Sequence, residues 1–131
     1  MAAMEPKVIC VVVLVLSLAL SSLAQGETGK TAPSCSVMGT LGKQFDLVFI
    51  DGDKREYPAY YDMLMDKGLV HSGSVMLADN ILWYGKVVQP VAHNDHHTQA
   101  LIEFNRKVVE DDRVESVILP LRDGINIIRV K

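Results

Sequence analysis

The sequence predicts an α/β fold, namely the C-terminal half of a doubly wound parallel sheet that ends in an antiparallel β-hairpin. Two continuous apolar runs, at residues 45–50 and 74–78, have the pattern of strands that are buried on both faces. A segment with helical periodicity separates them, as the crossover between two parallel strands requires. An Asp-Gly pair at residues 123–124 lies between two further apolar runs and predicts the terminal hairpin.

The first strand, at residues 45–50, leads into a helix predicted at about residues 56–67. Its apolar and tyrosine side chains recur at helical spacing, which defines one buried face. Tyr57, Tyr60 and Tyr61 lie on that face, and we interpret them as core packing with one hydroxyl in contact with water.

Gly68 and Gly73 predict a turn that leads into the second strand, at residues 74–79. Residues 80–97 contain Gly, Pro and several His and Asn residues, and this composition is typical of a loop. A second helix is predicted at about residues 98–110, where the apolar residues return to helical spacing.

The chain ends in two strands, at residues 114–119 and 125–130, joined by a turn at residues 121–124. No strand is predicted before residue 45. The edge of the sheet on that side would therefore stay open unless another segment covers it.

The N-terminal segment differs in kind from the rest of the chain. Lys7 precedes an apolar stretch at residues 8–20, and the small residues Ser22 and Ala24 follow it. This order is typical of a secretory signal peptide, with cleavage after Ala24. An alternative first exon, or a gene-model join onto a fragment of another protein, explains the same pattern equally well.

We therefore divide the chain into three parts: a signal-like segment at residues 1–24, a polar tether at 25–44 and a partial domain at 45–131. A functional signal places the protein in the secretory pathway or outside the cell. Without one, the cytoplasm is the expected location. The net charge of -3 and the lack of a basic patch argue against a nucleic-acid partner.

Polar residues follow both buried strands at the point where each strand ends. Asp51 and Lys54 come after the first strand, and Asp79 and Asn80 complete or follow the second. The carboxyl ends of parallel strands meet at one edge of an open α/β sheet, where ligands bind. Asp51, Asp79 and Asn80 would therefore present three oxygens to a hard divalent cation, with Lys54 close by.

Residues 45–131 resemble the C-terminal half of cation-dependent O-methyltransferases of the caffeoyl-CoA type, a family of class I S-adenosylmethionine enzymes. The order and spacing of several short motifs carry this resemblance. They are FDLVFIDGDK at 45–54, ADNILWYGKV at 78–87, TQAL at 98–101, FN at 104–105, DRVE at 112–115 and LPLRDGI at 119–125.

The resemblance implies that the chain transfers a methyl group to a hydroxyl of a catechol-like or caffeoyl-type aromatic. Asp51, Asp79 and Asn80 match the family's ligands for Mg²⁺ or another divalent cation, which lowers the pKa of the attacking hydroxyl. Lys54 matches the family's proposed general base.

The resemblance also implies binding roles for residues around these ligands. Asp53 lies where the family contacts S-adenosylmethionine, and the substrate side is formed by Asp51, Trp83 and Tyr84. Asp53 could equally be a helix cap, and Trp83 could equally be a packing residue. A second metal site at His93, His96 and His97 is a weaker interpretation than a solvated loop.

The family's N-terminal half, with its glycine-rich loop, has no counterpart here, and no Gly-x-Gly-x-x-Gly pattern occurs. Two main functions therefore stay open, beside a third interpretation in which a small secreted protein only happens to retain the motif. The chain is either a methyltransferase or a truncated, inactive module that binds metal or a partner. Family members commonly dimerise, so a homodimer, or a heterodimer with an intact family member, is the expected assembly.

Overall fold

The computed structural model describes residues 9–13 and 44–131. Five strands form one sheet in the order β1-β2-β3-β5-β4. The strands are β1 (Ile9–Val13), β2 (Phe45–Asp51), β3 (Val70–Asp79), β4 (Val114–Leu119) and β5 (Ile125–Val130). Strands β1, β2 and β3 are parallel, whereas β5 is antiparallel to both of its neighbours.

Two α-helices accompany the sheet, α1 (Tyr57–Asp66) and α2 (His96–Glu110). A short 3-10 helix at Lys54–Glu56 precedes α1, and another at Lys86–Val88 lies in the loop before α2. Neither helix of the described part of the chain is long and apolar enough to cross a membrane.

The core lies between the helices and one face of the sheet. Alternate residues of β2, β3 and β5 are buried on that face, as the two-residue period of a strand requires. The largest fully buried side chains of the described residues include Tyr57, Tyr61, Phe104, Ile50, Met76, Leu101 and Ile128. Tyr57 and Tyr61 both meet the ring of Phe104 edge to face, which joins α1 to α2.

The expectation that no strand precedes residue 45 was wrong. Ile9–Val13 pairs in parallel with β2, with Ile9 opposite Leu47 and Val13 opposite Asp51. The segment is rich in β-branched residues, which favour strands, and the free edge of β2 offers unpaired backbone groups. The other residues of the signal-like segment, and residues 25–43 of the tether, lie outside the described part of the chain.

Strand β3 begins at Val70, so the predicted turn at Gly73 was also wrong. Gly73 lies inside the strand with a φ of 93°, and the register between β2 and β3 shifts between Phe45 and Leu47. The buried hydroxyl of Ser74 accepts the backbone N–H of His71 and donates to the carbonyl of Phe45. This side chain supplies hydrogen bonds that the irregular ladder lacks, so the strand continues through the glycine.

The remaining elements confirm the predicted fold. Helix α2 begins at His96, two residues earlier than predicted. The side chain of Asp95 accepts hydrogen bonds from the backbone N–H and the hydroxyl of Thr98, and these bonds cap the helix. Strands β4 and β5 have the predicted bounds and form the antiparallel hairpin.

Candidate active site

The ends of β2 and β3 bring the predicted oxygen donors together. Ile50 lies opposite Ala78 in the parallel register, so Asp51 and Asp79 follow side by side on neighbouring strands, which lie about 4.8 Å apart. The Oδ1 atom of Asp79 accepts the backbone N–H of Asn80 at 2.8 Å. Asn80 has a φ of 59°, in the left-handed region where Asn is tolerated, and the chain leaves the strand there.

Lys54 lies beside the carboxylate of Asp51 and is only 6% exposed. Its Nζ atom donates to Oδ1 of Asp51 at 3.2 Å and to the hydroxyl of Tyr57 at 2.5 Å. Lysine is rarely so buried unless it is paired, and here two partners hold the ammonium group. The predicted base is therefore a fixed group in the protein interior rather than a surface lysine.

The hydroxyl of Tyr57 connects the two strand ends. Its oxygen lies 3.1 Å from the carbonyl oxygen of Ile50 and 3.0 Å from that of Asp79. Burial raises the pKa of Tyr57 strongly, and the negative charges of Asp51 and Asp79 raise it further, so the group stays a neutral hydroxyl.

Sequence reasoning missed this role, because it assigned the tyrosine to core packing. The spacing of Lys54 and Tyr57, three residues apart at the start of a helix, was the available signal, since such side chains share one helix face.

Asp53 caps the 3-10 helix that begins at Lys54. Its carboxylate accepts the backbone N–H of Arg55 at 3.0 Å and forms a two-pronged ion pair with the same guanidinium. The hydrogen bond from Arg55 lowers the pKa of Asp53, and His97 lies 3.8 Å from the carboxylate. The structure therefore shows Asp53 as a helix cap, whereas its contact with a cofactor stays a prediction.

Trp83 and Tyr84 follow Asn80 in the loop after β3. The Trp83 indole stacks on the imidazole of His97, with ring centroids 6.0 Å apart and planes 17° apart. Trp83 also packs against the core, whereas Tyr84 is 80% exposed. Both residues have a positive φ, so the backbone in this loop is strained.

The turn between β4 and β5 holds this loop in place. The backbone N–H of Ile81 donates to the carbonyl of Gly124, and that of Leu82 donates to the carbonyl of Asp123. The Asp123 carboxylate accepts the backbone N–H of Tyr84. Sequence reasoning did not assign this turn to the site, because nothing local shows that residues 39 positions apart are bonded.

An open cleft of about 660 Å³ lies at this edge of the sheet. Asp79 and Asn80 line one part of it, and the loop after β3 and the β4–β5 turn supply the rest, including Leu82, Tyr84, Val87, Val88, Arg122 and Asp123. Two of the three predicted metal ligands, Asp79 and Asn80, therefore open into a space of the size that small-molecule ligands occupy, whereas Asp51 is not part of its lining.

The donors present suit a hard cation. In residues 9–13 and 44–131, no three His, Cys, Asp or Glu side chains are grouped to hold a metal ion. The available set is instead two carboxylates and one amide, all oxygen donors, which is the chemistry that Mg²⁺ and similar cations prefer.

Two of the histidines in the alternative metal site, His96 and His97, are the first residues of α2 and have other neighbours. His97 stacks on Trp83, and the Nδ1 atom of His96 lies 3.4 Å from the side-chain oxygen of Gln99. Asp95, which sequence reasoning grouped with these histidines, is the N-cap of α2.

Comparison with known sequences places this site in context. The family described as O-methyltransferase matches residues 23–131. A probable caffeoyl-CoA O-methyltransferase from Dictyostelium discoideum is 36% identical over 84 residues, which cover 64% of this chain and 36% of that protein. Caffeoyl-CoA O-methyltransferase from Petroselinum crispum is 37% identical over 90 residues, which cover 65% of this chain and 36% of that enzyme.

Solved structures share the fold. An SAH-bound methyltransferase from Podospora anserina matches with a TM-score of 0.64 and 33% identity, covering 76% of this chain and 47% of that one. An O-methyltransferase from Bacillus cereus in complex with SAH has a TM-score of 0.62 and 30% identity, covering 68% and 41%. The chain therefore spans less than half the length of these similar proteins.

Proposed function

Because the chain belongs to the O-methyltransferase family, we propose that it transfers a methyl group from S-adenosylmethionine to a small aromatic substrate with vicinal hydroxyls. Catechol-like and caffeoyl-type compounds are the substrates proposed, with a divalent cation such as Mg²⁺ as a requirement. One observation carries the proposal: buried Lys54 is bonded to Asp51 at the edge where Asp79 and Asn80 also lie. The names of the similar caffeoyl-CoA enzymes support a phenolic substrate.

Asp51, Asp79 and Asn80 are the residues that would hold the cation. Their oxygen atoms suit Mg²⁺, and their place at the end of two parallel strands is where open α/β sheets bind ligands. A bound cation supplies Lewis-acid polarisation, which lowers the pKa of a hydroxyl that contacts it. Asp51 also orients Lys54, so one carboxylate serves both the ligand set and the base.

Lys54 accepts the proton of the substrate hydroxyl when its amine is neutral. Asp51 and Tyr57 fix the position of its nitrogen, so the base needs little reorganisation during the reaction. The surrounding core keeps bulk water away from the amine, because Lys54 is only 6% exposed.

Asp53, Trp83 and Tyr84 complete the proposed site. Asp53 contacts the cofactor in this proposal, and its carboxylate stays ionised because Arg55 lowers its pKa. Trp83 and Tyr84 flank the aromatic ring of the substrate, which suits their place in the loop beside Asn80. Methyl transfer is an in-line displacement, so the main task of these residues is to align the two reactants.

The test uses the full 131-residue chain and its thermal unfolding with Mg²⁺, then with S-adenosylmethionine. A ligand that binds the native state raises the unfolding midpoint. We expect both ligands to raise it, and Asp79→Ala to abolish the Mg²⁺ effect while the fold is retained. Asp62→Ala, which removes a carboxylate paired with Lys107, is the matched control and should keep the effect. A full Mg²⁺ effect in Asp79→Ala would disprove the ligand assignment.

A second function is favoured by the outer edge of the sheet. Val117, Ile118 and Leu119 of edge strand β4 are 54%, 39% and 41% exposed, and such an edge is a template for pairing with another chain. An inactive module that binds metal and forms a homodimer, or pairs with an intact family member, would use this surface. Stabilisation by Mg²⁺ without any effect of S-adenosylmethionine, together with a dimer mass by light scattering, would favour this alternative.

A further inference from the structure

Arg122 stands apart from the other arginines of the chain. Arg55, Arg106, Arg113 and Arg129 each bind a carboxylate. In the part of the chain that the structure describes, Arg122 has neither a hydrogen bond nor an ion pair. Its guanidinium group therefore keeps its full set of donors for a ligand.

Arg122 lines the same cleft as Asp79 and Asn80. Asp79 lies opposite Ile125 in the antiparallel register, and Arg122 precedes Ile125 by three residues, at most about 10 Å of extended backbone. A substrate held at the strand ends is therefore within reach of a long, flexible arginine side chain.

The backbone at Arg122 is strained. Its φ is 52°, in the left-handed region that a side chain with a Cβ atom enters at a cost. Such strain persists where the surrounding structure imposes it, and it is concentrated at functional sites. Arginine in this position adds a cation to the lining of the cleft, whereas glycine would relieve the strain but supply no charge.

The exposed lining of the cleft is largely apolar. Leu82, the exposed ring of Tyr84 and Val88, which is 83% exposed, supply this surface. The neighbouring Asp123 carboxylate is bonded to the backbone N–H of Tyr84 and forms no ion pair with Arg122 among the described residues. The cleft thus combines an apolar lining with the oxygen donors of Asp79 and Asn80 and with a guanidinium that pairs with no other described residue.

We propose that Arg122 binds a carboxylate on the substrate, so that the preferred substrate is an aromatic acid with vicinal hydroxyls. This inference rests on the proposed function and adds the charged group that the substrate carries. The planar fork of arginine matches a carboxylate in two parallel hydrogen bonds. A phosphate of a coenzyme ester offers similar chemistry, and the experiment distinguishes the two sources.

The experiment compares three substrates with the full chain: 3,4-dihydroxycinnamate, its neutral methyl ester and caffeoyl-CoA. We expect Arg122→Gln to raise KM for the free acid about tenfold or more, the effect of losing a charge-assisted pair, with kcat nearly unchanged. The KM and kcat for the neutral methyl ester should not change in Arg122→Gln. Arg106→Gln removes the same charge from an ion pair on α2 and should leave all three substrates unaffected. A rise in KM that Arg122→Gln shows for caffeoyl-CoA alone would overturn the carboxylate assignment in favour of phosphate.

A binding measurement separates this inference from the proposed function. Trp83 is the single tryptophan of the chain and lies beside Tyr84, so its fluorescence reports ligands in the cleft without any turnover. Tighter binding of the acid than of the ester, lost in Arg122→Gln, would support the inference even if no methyl transfer occurred. Equal binding of acid and ester, an unchanged preference in Arg122→Gln, or no binding of either compound would overturn it.

Discussion

The hydroxyl of Tyr57 lies 2.5 Å from Nζ of Lys54, and the same oxygen reaches the backbone carbonyls of Ile50 and Asp79. One buried side chain therefore joins the proposed base to the ends of both strands that carry the proposed metal ligands. The position of Lys54 depends on the pairing of β2 with β3, because Tyr57 bridges them.

Tyr57→Phe tests this arrangement. We expect kcat to fall about tenfold, because a misplaced base forfeits part of the contribution of general base catalysis, while KM changes little. The free energy of unfolding should fall by about 1–3 kcal/mol, because buried carbonyls lose their donor. Steady-state kinetics and urea denaturation measure the two effects. Tyr61→Phe is the control, since its hydroxyl bonds to Asp111 away from the site, and it should lose stability only.

Gly124→Ala should strongly destabilise the protein. A Cβ atom there would lie 2.4 Å from Cγ of Leu82, and the φ of Gly124 is 83°. The conformational strain costs about 1–2 kcal/mol, and overpacking adds about 1–3 kcal/mol.

Gly73→Ala isolates the first of these two costs. Gly73 has a φ of 93°, but a Cβ atom there would meet nothing within 4 Å. Urea denaturation should therefore show a larger loss for Gly124→Ala than for Gly73→Ala. Equal losses of stability would mean that the methyl group added at residue 124 does not clash with Leu82.

Asp111 should make the free energy of unfolding depend on pH in the acid range. The Arg113 guanidinium holds the pKa of Asp111 well below its usual range, and the hydroxyl of Tyr61 contributes. A lowered carboxyl pKa stabilises the fold fully above the unfolded value of about 3.9 and loses that effect as the pH falls through the folded value. Asp111→Asn should therefore lower the free energy of unfolding by about 1–3 kcal/mol at neutral pH.

The difference in the free energy of unfolding between Asp111→Asn and the unmodified chain should shrink below about pH 4, where the carboxyl group becomes protonated in the unfolded chain. Asp66→Asn is the control, because its side chain is 65% exposed and lies 3.5 Å from the same guanidinium. An exposed pair contributes little, so this variant should differ by less than about 1 kcal/mol at any pH. A constant penalty for Asp111→Asn across the acid range would contradict the charge explanation.

Arg122→Gly should stabilise the fold while it removes the proposed anion contact. Relief of the left-handed strain should stabilise the fold by about 1–2 kcal/mol. The greater freedom of glycine in the unfolded chain offsets about 0.5–1 kcal/mol of this gain. We expect a higher unfolding midpoint by calorimetry. A lower midpoint would mean that the arginine side chain supports the turn by packing.

The sequence predicted most of the sheet, because its strands are continuous apolar runs and the Asp-Gly pair defines the hairpin. It also predicted the meeting of Asp51 and Asp79, which follows from the topology of parallel strands alone. The early start of β3 was missed, because Gly73 has the pattern of a turn, whereas the strand continues through it with the support of a long-range bond from Ser74 to the carbonyl of Phe45.

The parts of the site that escaped prediction depend on tertiary contacts. The bond between Asp123 and the backbone of Tyr84 joins residues that no local pattern relates. The left-handed conformations of Trp83 and Tyr84 are likewise invisible in the sequence, since neither residue favours them. The stacking of His97 on Trp83 could not be expected from a polar loop.

The pairing of Ile9–Val13 with β2 has a consequence for the fate of the chain. These residues lie within the apolar run that resembles a signal peptide, and a peptidase cut after Ala24 would remove them. The exported protein would then lose β1 from the edge of β2, whereas the uncut protein keeps its five-stranded sheet. The same short stretch can act as an export signal or as an edge strand of the sheet, and in any one mature molecule it can have only one of these two roles.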